Sequence, residues 1–159
     1  MTVEPLLSEL LPHRPPMTML SQVLSVDEPG VASAVLDTSP DSLFYDPEIG
    51  GVPACVALEY MAQTMALAVG AENRRRGSPP KIGFMLGTRR MDVKVDAFES
   101  GKRYVATAKF CYVDDEFAAS DCSITGPDGE TIAEARLTAY QPSEEMLAGD
   151  GLTVLKDGR

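Results

Sequence analysis

Residues 53–72 constrain this chain more than any other stretch: they are strong helix formers with almost no polarity. Apart from the phenol of Tyr60, the polar interior positions are Glu59, Gln63 and Thr64. A soluble helix that is apolar nearly all round must be surrounded by protein, so the pattern predicts a core helix. At roughly 20 residues it has the length to cross a bilayer, but Glu59 and Gln63 near its middle and its Ala and Gly content argue against a span. Pro53 suits a first-turn position, and Arg74, Arg75 and Arg76 complement the negative end of the helix dipole.

The remaining pattern supplies a sheet for that helix. Leu6, Leu7, Leu10 and Leu11 fall at helical spacing, and Pro12, Pro15 and Pro16 end the short helix they define. Strand character follows at 19–26 and 31–36, joined by the turn Glu28-Pro29-Gly30, and 38–53 reads as an irregular loop. After the core helix come four strand-like stretches, 81–95, 102–113, 117–125 and 131–140, with turns at Asp114-Asp115-Glu116 and Pro127-Asp128-Gly129. This order predicts an α+β fold in which an antiparallel sheet of about five to six strands curls around one long central helix. The length of 159 residues suits one domain, expected over 1–142, with 143–159 as a flexible acidic tail.

A formal net charge of −10 disfavours nucleic-acid binding, which needs clustered cations to displace counterions from phosphates. The basic groups Arg74 to Arg76, Arg89-Arg90 and Lys102-Arg103 are read either as solvated loop charges or as docking points for an acidic partner. Three cysteines without C-x-x-C spacing and a single histidine, His13, predict neither a disulfide framework nor a structural metal. The opening Met1-Thr2-Val3-Glu4-Pro5 has no basic leader, and a cytoplasmic protein is expected.

Glu59 is the leading candidate for chemistry, because a carboxylate within an apolar helix is costly unless it is paired or has a task. Desolvation there favours the protonated form, which suits an acid or base working near neutrality. Gln63 lies one turn later, where its amide can orient the carboxylate or hold a water. The competing reading makes Glu59 a structural bridge to Arg14, Arg89 or Arg90. Gly50 and Gly51 lead to the helix start at Ala54, where backbone amides can polarise a carbonyl oxygen or the glycines can simply turn the chain. His13, as the sole histidine, is either an acid/base group or a satisfied loop residue, and Tyr45 and Asp46 precede the helix within reach of the same site or in turn roles. Cys55 is expected inside the buried helix as a small hydrophobe, and Met61, Met65 and Met85 as core or tunnel lining.

Two segments carry a family resemblance. Leu11-Pro12-His13-Arg14-Pro15-Pro16-Met17 and Ala57-Leu58-Glu59-Tyr60-Met61-Ala62-Gln63 resemble the L-P-H-R-x-P opening and E-x-M-A-Q helix of hot-dog 3-hydroxyacyl-acyl-carrier-protein dehydratases. Leu86-Gly87-Thr88-Arg89-Arg90 is similar to a segment of the dehydratase-like group associated with aryl polyene pigment clusters. The resemblance implies a hot-dog fold and dehydration of a 3-hydroxyacyl thioester to the trans-2-enoyl thioester, in fatty-acid or polyketide synthesis. It implies no cofactor, a homodimer with the site at its interface, and acyl carrier protein as partner. Glu59 falls on the helix acid, and Ala54 on the amide that binds the thioester oxygen, with Gly51, Gln63 and Gly87 on the substrate side. The family's base is a histidine fourteen residues before the helix acid, and Tyr45 stands at that position. His13, Asp46 or Glu59 itself is then left to remove the α-proton. A hot-dog thioesterase, with Glu59 activating water and Gln63 holding it, is the alternative enzyme. A non-catalytic subunit that binds a carrier protein or a sister hot-dog chain is the alternative from another class.

Overall fold

The structure is a computed structural model that describes residues 4–143 and 145–146. Helix α1 (Glu4–Leu10) buries Leu7 and Leu10, and the chain leaves it through the buried Leu11 into Pro12. Strands β1 (Leu20–Ser25) and β2 (Val31–Leu36) form the expected hairpin. The loop that follows ends in a short strand β3 (Gly51–Pro53), and a single 3₁₀ turn (Ala54–Val56) leads into helix α2 (Ala57–Arg75). Then come β4 (Phe84–Gly87), β5 (Met91–Val93), β6 (Ala97–Glu99), β7 (Val105–Val113), β8 (Phe117–Thr125) and β9 (Thr131–Tyr140).

One antiparallel sheet runs in the order β1-β2-β7-β8-β9-β4, with β5 also on β9, and β3 pairs with β6 in a separate ribbon. The main sheet therefore has 7 strands where five to six were expected. The extra strand comes from 81–95, which is two strands: β4 pairs with β9 at Tyr140 to Thr138 and β5 at Ala135 to Ala133. Gly87, at φ 140°, ends the first of them in a conformation that a side chain would disfavour.

The sheet accepts the helix because its inner rows are small. In register, Ala34, Ala106, Ile124 and Ala133 form one row, and Ala32, Ala108, Cys122 and Ala135 the next, all buried. Against them α2 buries Tyr60, Met61, Met65, Leu67 and Ala68. An aromatic chain locks the start of α2: Tyr60 packs edge-on to Phe98 at 5.5 Å, and Phe98 to Tyr104 at 5.2 Å. The Tyr60 hydroxyl donates to the Asp37 carbonyl at 2.7 Å. The stretch Ala54–Arg75 is long and apolar enough to cross a membrane, and here it is the core helix of a soluble fold.

Two local expectations are corrected. The helix starts after Pro53, which closes β3, so the 3₁₀ turn places Cys55 on the surface and not in the helix interior. At the other end α2 runs on past Glu72 to Arg75. The acidic tail expected over 143–159 lies outside the described residues save for 143, 145 and 146.

Candidate active site

Glu59 stands in the first turn of α2, where the helix dipole favours negative charge. Four residues on, Gln63 is fully buried and held by three hydrogen bonds. Its Nε2 donates to Met17 O at 2.7 Å and to Glu59 Oε1 at 2.9 Å, while its Oε1 accepts from Met19 N at 2.9 Å. The amide thereby ties the segment after α1 to the core helix and fixes one carboxylate oxygen. Glu59 Oε2 has no hydrogen-bond partner among the described residues. Gln63, expected on the substrate side, is thus an orienting group: both its N–H bonds are taken, so neither a substrate nor a hydrolytic water finds a free donor there.

His13 arrives from the opposite direction, on the turn after α1. Its Nε2 lies 4.0 Å from Glu59 Oε1, with side-chain exposures of 28% and 36%. Burial lowers the imidazole pKa below its ordinary 6.5, opposed in part by the nearby Glu59 charge. His13 is therefore neutral at neutral pH, the state in which it can accept a proton. Its Nδ1 is buried with no partner among the described residues.

The pair sits on the wall of an open cavity of about 850 Å³. Glu59, Ala62, Ala66, Val69 and Asn73 line it from α2, and Phe110, Val113, Phe117, Ala118 and Tyr140 from the far ends of β7, β8 and β9, with Met65 and Met85 also lining it. Glu59 is thus at a cavity wall with a third of its side chain exposed, and not in a sealed dry interior.

Among the described residues no arginine bridges the carboxylate. Arg14 donates to the carbonyls of Leu11 and His13, and Arg90 Nε lies 2.8 Å from Asp92, so the ion-pair partner of Glu59 among the described residues is His13. The other expected site residues are elsewhere in this chain. Asp46 organises its own turn, its carboxylate accepting from Glu48 N at 2.9 Å and its carbonyl from Gly50 N at 2.9 Å. Tyr45 closes the preceding turn, its N–H donating to Ser42 O at 3.0 Å, and neither residue lines the cavity. The Ala54 amide, expected to be free for a thioester oxygen, donates to Asp96 O at 3.0 Å because β3 and β6 bring that carbonyl alongside it. Gly51 is buried where a Cβ would stand 2.3 Å from Phe98 O, so it serves strand packing. Gly87 borders a separate depression with Arg89, Arg90 and Arg136. Among the basic groups, Arg74 pairs with Glu9, Arg75 with Glu72 and Lys102 with Glu99.

Sequence reasoning missed Asn73, a buried polar residue on the cavity wall just beyond the apolar stretch. Its signal is helical spacing: 59, 62, 66, 69 and 73 fall on one stripe.

The family model described as ApeP-like, ApeP dehydratase, matches residues 5–148. A chain of the dehydratase heterocomplex ApeI:P from Xenorhabdus doucetiae superposes with a TM-score of 0.81 at 28% identity, covering 89% of this chain and 93% of that one. The 3-hydroxyacyl-[acyl-carrier-protein] dehydratase FabZ of Oceanobacillus iheyensis is 33% identical over 82 residues, half of this chain, and the match spans only 56% of that protein's length. The FabZ of Streptococcus agalactiae is 29% identical over 133 residues, 82% of this chain and 91% of that one. A hot-dog sheet wrapped on its helix, together with a family match from α1 to beyond β9, places the chain: it belongs to the ApeP-like dehydratase family.

Proposed function

We propose that this protein dehydrates a 3-hydroxyacyl chain on acyl carrier protein to the trans-2-enoyl thioester, in polyketide or aryl polyene synthesis. The observation that carries the reading is the approach of His13 Nε2 to Glu59 Oε1, 4.0 Å, on the wall of an open cavity that apolar and charged residues line together. In the elimination, neutral His13 takes the C2 proton and Glu59, entering the step with a proton on its carboxyl, gives that proton to the departing 3-hydroxyl; water leaves as the C2–C3 double bond forms, and the imidazolium returns its proton to the carboxylate for the next turnover. Gln63 holds the carboxylate in register through Oε1 and leaves Oε2 for the substrate. The residues need no metal or organic cofactor for this step. The protein works in the cytoplasm as a hot-dog oligomer, either a homodimer or a pair with a sister chain of the kind named for the ApeI:P heterocomplex. Within the three basic groups, Arg76, Arg89 and Arg103 have no ion pair among the described residues and are the cations we assign to meeting an acidic carrier protein.

One observation favours a second reading, a non-catalytic subunit that binds the carrier protein or a sister dehydratase: Phe44-Tyr45-Asp46-Pro47 contains no histidine. Incubation with 3-hydroxyacyl carrier protein, followed by mass spectrometry of the acyl group, separates the two. Loss of water that disappears in Glu59→Ala supports catalysis. Turnover that survives this substitution removes the assignment, and absence of turnover alongside tight carrier binding favours the silent subunit.

A further inference from the structure

The stretch of chain that carries His13 is short of hydrogen-bond donors. Helix α1 ends at Leu10, and the last turn of a helix leaves carbonyl oxygens without intrahelical partners. Pro12, Pro15 and Pro16 follow, and a proline has no N–H to offer them. One side chain makes up the deficit. Arg14 turns back on its own backbone, where its Nη1 donates to Leu11 O at 2.9 Å and to His13 O at 2.7 Å. Among the described residues Arg14 makes no ion pair, so these two charge-assisted bonds are the work of its guanidinium. Backbone bonds hold the span on either side, Leu11 N to Leu7 O and Met17 N to Arg14 O, both at 2.8 Å. His13 has no hydrogen bond at Nδ1, so its ring is placed by the backbone beneath it and by packing.

We infer that Arg14 is a positioning residue for the His13–Glu59 pair: by clamping the carbonyls of Leu11 and His13 it fixes the backbone from which the imidazole reaches the carboxylate. This rests on the reading that the two side chains exchange protons with a 3-hydroxyacyl substrate. Arg14 acts through His13 and touches no reacting atom. A ring that stands 4.0 Å from its partner depends on such a support, since a displacement of about 1 Å can cost on the order of 10²-fold in rate.

The test is a double-substitution cycle on the full chain, read at its sole histidine. The midpoint of His13 is measured by proton NMR in the wild type, Glu59→Gln, Arg14→Met and the double variant. Loss of the Arg14 charge moves the midpoint alike with or without Glu59 and so cancels, whereas the drop caused by Glu59→Gln reports the approach of the two side chains. That drop is expected to shrink to roughly half or less in the Arg14→Met background, because Coulomb attraction weakens as the groups part. On carrier-protein substrate, Arg14→Met is expected to lower kcat on the order of ten-fold and to leave KM within about two-fold. An undiminished drop overturns the assignment and leaves the dehydratase reading intact. A raised KM with kcat and the drop unchanged overturns it in favour of a charge that docks the carrier protein. Absence of turnover by the wild type sinks the dehydratase reading and this assignment with it. If Arg14→Met does not melt cooperatively, Arg14→Gln, too short to span both carbonyls, reads the same cycle.

Discussion

Two primary amides sit on helix α2, both buried and ten residues apart, and they are treated in opposite ways. Gln63 has three hydrogen bonds, to Met17, Met19 and Glu59, and so joins two chain segments and a carboxylate into one rigid unit. Asn73 has a donor with no acceptor, beside a cavity. Burial alone therefore does not say what a polar residue contributes to the fold. The partners of each donor and acceptor do.

Substitutions break or sharpen that contrast. The largest effect is expected at the carboxylate that Gln63 holds: Glu59→Gln should lower kcat by roughly 10²- to 10⁴-fold, the span of general acid–base catalysis, in a carrier-protein assay. Because Glu59 is a third exposed, its melting temperature should change little. Gln63→Leu strands Met19 N and Met17 O, so it should destabilise the fold by about 3 kcal/mol in urea unfolding and also reduce turnover. Asn73→Leu makes the contrast explicit. With no bond to lose at Nδ2, it should shift stability by about 1 kcal/mol or less, in either direction. A loss as large as that of Gln63→Leu would erase the distinction between the two amides.

The smallest effect is a titration shift. His13 is the sole histidine, so its imidazole resonances are unambiguous in a proton NMR titration. Burial should place its midpoint below 6.5. The acid limb of kcat/KM should share that midpoint, since only the neutral imidazole accepts the C2 proton. In Glu59→Gln the midpoint should fall further, because the attraction that partly restores it is gone. The linked stability effect has a definite sign. The unfolded chain binds more protons between the depressed folded midpoint and 6.5, so this contribution is intact above 6.5 and declines as pH falls through that window.

The core helix was legible because its apolar run leaves no solvent face, and the hairpins because Pro, Gly and Asp mark their turns. The break in 81–95 was not, since both halves pair with the same distant strand and nothing local says that β9 is long enough to hold two partners. At the site, Glu59, Gln63 and His13 were visible through helical spacing and the proline-rich segment. The Ala54 amide misled because its acceptor, Asp96 O, comes from the bend before β6, 42 residues later. Cys55 misled because helix formers continue through a turn that is 3₁₀ and surface-facing. Asn73 was overlooked because the stripe it ends was followed only as far as the apolar residues ran.

The approach of α1 to α2 has a consequence for the His13–Glu59 pair. A Cβ on Gly70 would sit 2.0 Å from the carbonyl oxygen of Leu10, so the two helices touch backbone to backbone at that point. His13 follows Leu10 by three residues and has no hydrogen bond at Nδ1 to anchor it. The gap between imidazole and carboxylate is therefore set by a missing methyl group eleven residues from Glu59. Restoring that methyl would lift the first helix and draw His13 away from Glu59 without altering either one.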